Sequence, residues 1–209
     1  MRGSHVEKPT RYLTSVEVAA ACGVSPRTVT NWIRDGVIRA HRTVGGHGRV
    51  AVEELRRFLV ARGIPVPAEL ASDPVEDGSD EGKKRVLCID DDEAFLEVVR
   101  ELLTANGYAV ETARQGFLAG YLVGRRVPDV IVLDLVMPGL DGYEVLALLR
   151  EREESKSIPV VACTSLRGPD VESRLKKAGF DAFVKKPIDF KVLLRTVETL
   201  SGAAPAATG

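Results

Sequence analysis

Four short apolar runs end abruptly on polar residues, and that pattern limits the fold more than any other feature of the chain. RVLCI runs into Asp90-Asp91-Asp92, VIVL into Asp134, IPVVAC into Thr164 and AFVK into Lys186. Runs of this length, separated by helix-like segments, read as buried parallel strands of an α/β sheet. In an open sheet of that type, functional groups gather beyond the carboxyl ends of the strands. The sequence therefore predicts one crevice that receives three carboxylates, a hydroxyl and an ammonium.

This inventory suits a hard divalent cation and a phosphoryl group. Mg²⁺ prefers oxygen ligands and usually keeps several waters, so one or two carboxylates suffice to hold it. Asp91 and Asp134 are the expected direct ligands, with Asp90 acting through water. A carboxylate can also be a nucleophile and form an aspartyl-phosphate. Asp134 is the better candidate, because it stands alone at the end of the central run Val130-Ile131-Val132-Leu133. Lys186 and the metal would neutralise charge on the transferring group, and Thr164 would donate a hydrogen bond to it. A plainer reading of the acidic run is that it caps the helix that follows.

Residues 84–200 resemble the CheY-like receiver domain of two-component response regulators. The resemblance is carried by Asp90 and Asp91, by Asp134 in LDLVMPGLDG, by Thr164, and by Lys186 in its Lys-Pro step. It implies a doubly wound, flavodoxin-like sheet of five parallel strands. It also implies phosphorylation of Asp134 by the phosphohistidine of a sensor histidine kinase or phosphotransfer protein. By the same resemblance, the backbone carbonyl of Val136 completes the Mg²⁺ shell. Phe183, three residues before Lys186, matches the family's aromatic switch position.

The net charge of −1 hides an asymmetry along the 209 residues. Residues 1–63 hold 11 Lys and Arg against 5 acids, whereas 64–83 hold one Lys against six acids. A basic block on a nearly neutral chain points to a polyanionic partner. Residues 1–9 form a polar, tag-like start, 63–83 read as an acidic flexible linker, and 201–209 as a disordered tail. No apolar run approaches the length of a membrane span, so the expected setting is cytoplasmic, without a membrane partner. Cys88 and Cys163 sit inside strand-like runs and Cys22 precedes a turn, so all three read as core thiols.

Within residues 10–62, Thr14 and Glu17 have the spacing of a capping box, and Gly23 breaks the helix they begin. Ser25-Pro26 then starts a second helix, with serine as N-cap and proline at the first helical position. Val29, Trp32 and Ile33 share its apolar face, which leaves Arg27, Thr28, Thr30, Asn31 and Arg34 outside. A hairpin around Val44-Gly-Gly-His-Gly and a helix from Val52 to Ala61 follow. The block resembles the winged helix-turn-helix of excisionase and MerR-family DNA-binding domains. That resemblance puts the helix from Ser25 in the major groove of double-stranded DNA. It places Arg42, His47 and Arg49 of the wing on phosphate or in the minor groove.

The expected protein is a transcriptional response regulator without enzymatic output, active as a phosphorylation-dependent homodimer. The competing expectation is an adaptor whose helix-turn-helix docks a protein, while the receiver relays phosphate or localises a complex. A steep salt dependence of DNA affinity separates the two.

Overall fold

The computed structural model describes residues 11–43, 48–67, 70 and 80–203. The chain divides into two compact units, Met1–Asp73 and Pro74–Gly209. Among the described residues, no helix is long and apolar enough to cross a membrane.

Among the described residues up to Ala61, the first unit sets three helices beside a small antiparallel sheet. Strand β1 (Tyr12–Thr14) leads straight into helix α1 (Ser15–Cys22). Thr14 Oγ1 accepts from the Glu17 N–H at 3.2 Å, and the Glu17 carboxylate accepts from the Thr14 N–H at 2.7 Å. This reciprocal pair explains how Glu17 can be fully buried: its charge satisfies a helix-end donor. Gly23 closes α1 at φ 66°, a left-handed value that favours glycine. Helix α2 (Pro26–Arg34) follows after only Val24 and the N-cap Ser25, whose hydroxyl accepts from the Thr28 N–H.

Strands β2 (His41–Arg42) and β3 (Gly48–Ala51) form the hairpin, and β3 also pairs with β1, giving the order β1-β3-β2. The wing tip, residues 44–47, lies outside the described residues, and His47 with it. Gly48 packs beside α2: a Cβ there would meet Ile33 Cδ1 at 3.1 Å. Helix α3 (Val52–Ala61) follows β3. Val29 is fully buried, whereas Trp32 and Ile33, expected in the core, are only partly so. The Trp32 ring leans on Phe58 with centroids 5.0 Å apart, and the Arg62 guanidinium covers both rings. Trp32 therefore closes the margin of the core, with a cation as its outer layer.

The second unit is a five-stranded parallel sheet. Its strands are β4 (Arg85–Ile89), β5 (Ala109–Ala113), β6 (Val130–Asp134), β7 (Val160–Thr164) and β8 (Ala182–Lys185), in the order β5-β4-β6-β7-β8. Helices α4 (Glu93–Ala105), α5 (Ala119–Arg125), α6 (Gly142–Arg150), α7 (Val171–Ala178) and α8 (Phe190–Ser201) connect and flank them. Val86, Cys88, Val130, Val132, Val161, Cys163 and Val184 pack on Leu96, Val99 and Leu103 of α4 and on Leu193 and Val197 of α8. The alternate positions Leu87, Ile89, Ile131 and Leu133 are buried too, so both faces of the sheet are covered. Double-sided burial is why these strands read as continuous apolar runs. Each such side chain contributes about 1.5–3 kcal/mol on full burial. Cys88 and Cys163 are core thiols, as expected, and burial pushes both up, Cys163 to about 12.

Two boundary expectations change. Leu70, inside the segment read as a flexible linker, is fully buried. Ser201, read as the first tail residue, is the buried last residue of α8 and lies 3.4 Å from the Tyr108 hydroxyl. An apolar side chain in one case and a buried hydroxyl pair in the other anchor what composition alone assigned to coil.

The capping box carries a direct test. Thr14→Ala removes the acceptor for the Glu17 N–H and should cost the first unit about 1 kcal/mol. The chain's one tryptophan, Trp32, reports on this unit by fluorescence during urea unfolding. An unchanged midpoint would contradict the role given to the box.

Candidate phosphoryl-acceptor site

The three aspartates after β4 take three different positions. Asp90 is buried, Asp91 is exposed, and Asp92 is the N-cap of α4, accepting from the Phe95 N–H at 3.1 Å. Helix capping thus belongs to Asp92, which frees the other two. Asp90 is fixed by its own backbone, whose N–H donates to the Ala113 carbonyl at 3.1 Å. Its Oδ1 accepts from the Asp92 N–H at 3.0 Å, and its Oδ2 accepts from Lys186 Nζ at 2.7 Å.

Asp134 ends β6 and is 4% exposed. Its Oδ1 accepts from the Leu135 N–H at 2.8 Å and lies 3.2 Å from Lys186 Nζ. The Lys186 ammonium therefore sits between two buried carboxylates, one just past β4 and one at the end of the adjacent β6. Burial and then the Asp90 charge push the Asp134 carboxyl above its ordinary range, against the pull of Lys186 and the Val136 N–H. Burial works to lower the Lys186 ammonium, but its bond to Asp90 and the charges of both aspartates hold it above its ordinary value.

The loop after Asp134 owes its path to a close approach. A Cβ on Gly142 would lie 2.5 Å from the Asp134 carbonyl oxygen and 2.8 Å from Leu135 Cα. Only glycine lets the chain return this tightly, and Asp141 then caps α6 through a second capping box, with Glu144. The string GLDG is thus the means by which α6 starts directly against the end of β6.

Thr164 ends β7, fully buried, with its Oγ1 accepting from the Leu166 N–H at 3.0 Å. Its carbonyl accepts from the Lys186 N–H at 2.8 Å, which ties the β7 end to the lysine. Val136 is exposed beside Asp134. Phe183 is half-buried on β8, opposite Ala162 in register, and outside the hydrogen-bonded set. The residue missed by sequence reasoning is Phe95. Lys186 Nζ stands over its ring, 5.1 Å from the centroid.

Carboxylate oxygens of Asp90, Asp91 and Asp134 lie within 4.8 Å of one another. Three carboxylates face one ammonium, so the crevice is short of positive charge, and all its donors are hard oxygens. Both properties fit a divalent cation of the Mg²⁺ type. Asp91 is the exposed member, while Asp90 is already committed to Lys186.

The nucleic-acid candidates lie on the first unit. Arg27 is exposed and Asn31 half-exposed on α2. Thr28 shares its hydroxyl with Ser25 at 2.9 Å, and Thr30 donates to the Pro26 carbonyl at 3.0 Å. Arg34 is exposed and paired with Asp35 at 2.9 Å. On the wing, Arg42 is exposed, and Arg49 lies opposite His41 in register. His41 is a second residue that the sequence reading passed over. It is exposed, with its ring edge-on to Tyr12 at 5.1 Å.

The raised Asp134 carboxyl makes a stability prediction with a definite sign. Its contribution to stability is present below the ordinary carboxylate range and is lost as pH rises through the raised folded value. At neutral pH the folded state thus carries a penalty, and Asp134→Asn should raise the thermal midpoint. The gain should shrink as pH falls into the carboxylate range. A lower midpoint for the variant at neutral pH would contradict this reading.

Comparison with known proteins gives two family matches. The response regulator receiver domain matches residues 86–198, and a helix-turn-helix domain matches residues 12–62. The response regulator PleD of Caulobacter vibrioides is 38% identical over 117 residues, covering 56% of this chain and 26% of PleD. This chain therefore spans about a quarter of that relative. The polar-differentiation response regulator DivK of Brucella ovis is 32% identical over 121 residues, covering 58% of this chain and 98% of DivK. The chemotaxis response regulator CheY4 of Vibrio cholerae superposes with a TM-score of 0.53 at 29% identity, over 56% of this chain and 98% of its own. With more than half its length matched to the receiver model and a helix-turn-helix ahead of it, this chain belongs to the response regulator receiver family.

Proposed function

We propose that Asp134 accepts a phosphoryl group from a sensor histidine kinase or phosphotransfer protein, and that this event controls binding of the helix-turn-helix to double-stranded DNA. The observation that carries the reading is the placement of the Lys186 ammonium between Asp90 and Asp134, with Asp91 at the rim. In the proposed step, an Asp134 carboxylate oxygen attacks phosphorus as the bond to the donor's imidazole nitrogen breaks. The imidazole leaves with the electron pair of that bond. Asp134 thereby becomes a mixed anhydride, a single event rather than a turnover.

Lys186 is suited to follow the new charge, because its head group already touches the acceptor oxygen. The Thr164 hydroxyl, occupied as an acceptor, still has its proton to donate to a phosphoryl oxygen. Mg²⁺ would be held by Asp91 and Asp134 with the Val136 carbonyl, and by Asp90 through water, supplying charge neutralisation for the incoming phosphoanion. Phe183 would act as the switch, changing its exposure as Thr164 engages the phosphoryl group.

On the first unit, Arg27, Thr28, Thr30, Asn31 and Arg34 would present α2 to base edges and adjoining phosphates. Arg42, His47 and Arg49 would serve the wing. Arg and Asn at these positions match the bidentate readout of guanine and adenine. Phosphorylation would act by pairing two chains, so that two helix-turn-helix domains reach paired half-sites together.

Fluorescence anisotropy with duplexes selected from a random pool tests the reading. The full chain should bind with a steep loss of affinity as salt rises. Acetyl phosphate with Mg²⁺ should strengthen binding, together with a shift from monomer to dimer in sedimentation. Arg27→Ala or Asn31→Ala should cost roughly 1–3 kcal/mol on a selected site. Equal affinity for selected and random duplexes at every salt concentration would instead favour protein docking by the helix-turn-helix.

A further inference from the structure

The acidic crevice has an aromatic wall that the chemistry above leaves unused. Lys186 Nζ lies over the Phe95 ring at 5.1 Å from its centroid, while reaching Asp90 at 2.7 Å and Asp134 at 3.2 Å. An ammonium presents three N–H donors in a tetrahedral spread. Two carboxylates leave one side of the head group open, and the negative face of an aromatic ring is a fitting third neighbour.

Phe95 is held in place from two directions. Its N–H is fixed by the Asp92 cap at 3.1 Å, in the first turn of α4. Its half-buried ring also packs against the apolar cluster that includes Val86, Cys88 and Leu96. The lysine stem, by contrast, is flexible and its side chain is 26% exposed, so solvent competes for the head group.

We propose that Phe95 is a positioning residue of the acceptor site: its ring face holds the Lys186 ammonium on the line between Asp90 and Asp134. The ring keeps water from drawing the head group outward and leaves it poised beside the oxygen that receives the phosphoryl group. This inference rests on Asp134 being the acceptor. An aliphatic side chain at position 95 would fill the space but lacks the quadrupole that attracts a cation.

The test uses the full chain with acetyl phosphate and Mg²⁺, following the phosphorylated fraction over time. Phe95→Leu should slow phosphorylation about three- to tenfold at saturating donor, the range expected of a cation–π contact at a partly desolvated site. Phe95→Tyr, which keeps the ring face, should restore the wild-type rate. In a Lys186→Gln background, Phe95→Leu should change the rate less than about twofold, since the cation it positions is gone. Should Leu disturb the fold by thermal melting, Phe95→Met serves as the aliphatic variant.

A second readout needs no donor. The ε-methylene protons of Lys186 should resonate upfield in the wild type, displaced by the ring current, and move toward the position of a free lysine in Phe95→Leu. Unaltered Lys186 resonances in that variant overturn the proposal, as does a Tyr variant as slow as the Leu variant. Equal slowing in both lysine backgrounds also overturns it. If wild-type protein takes up no phosphoryl group, the acceptor reading fails, and the Lys186 resonances alone decide the case of Phe95.

Discussion

A single ammonium between two buried carboxylates organises the receiver unit. Asp90 belongs to the loop after β4 and Asp134 to the end of β6, and these adjacent strands bring two buried like charges into one crevice. Left alone, the pair would repel in a medium where screening is weak. Lys186, carried on the chain just past β8, answers both, and its own N–H is tied to the Thr164 carbonyl at the end of β7. The ends of β4, β6, β7 and β8 thereby meet at one lysine, the first two through its ammonium and β7 through its backbone N–H. Buried ion pairs contribute little net stability once desolvation is counted. The arrangement is better understood as a charged mould, held ready by an apolar sheet.

The mould is unbalanced in charge. Three carboxylates with one ammonium leave room for a further cation, and the raised Asp134 carboxyl records the cost of holding that charge in the fold. Functional sites commonly carry a stability cost of this kind. The tight return enforced at Gly142 and the cap supplied by the Asp92 side chain fix the chain just beyond the two strands that carry these charges. In the first unit the division of labour is similar. Thr14, Glu17 and Ser25 fix the helix ends, so the outward residues of α2 are free to be polar.

The parallel strands and their polar ends were legible because burial on both faces leaves unbroken apolar runs, and a polar residue closing such a run is conspicuous. The helix-turn-helix was legible for another reason: caps and a left-handed glycine are written as short local strings. Contacts of long sequence separation were harder to read. Phe95 looks like any apolar residue of an amphipathic helix, and only the fold brings Lys186 over it. Strand β1 is three residues long and is defined by its partner β3 rather than by any alternation of its own. Leu70 and Ser201 sit in coil-like composition yet are buried, so local composition did not reveal them. The sequence reading also sent Asp90 to the metal through water, without anticipating that Lys186 claims its carboxylate directly.

The central claim is that this crevice receives a phosphoryl group on Asp134. Its most direct test is peptide mapping by mass spectrometry after the full chain is exposed to acetyl phosphate with Mg²⁺, with borohydride trapping of the acyl phosphate. One modified residue, Asp134, is expected, with no modification when Mg²⁺ is chelated. Modification spread over Asp90, Asp91 and other exposed acids, or found equally without the metal, would contradict it.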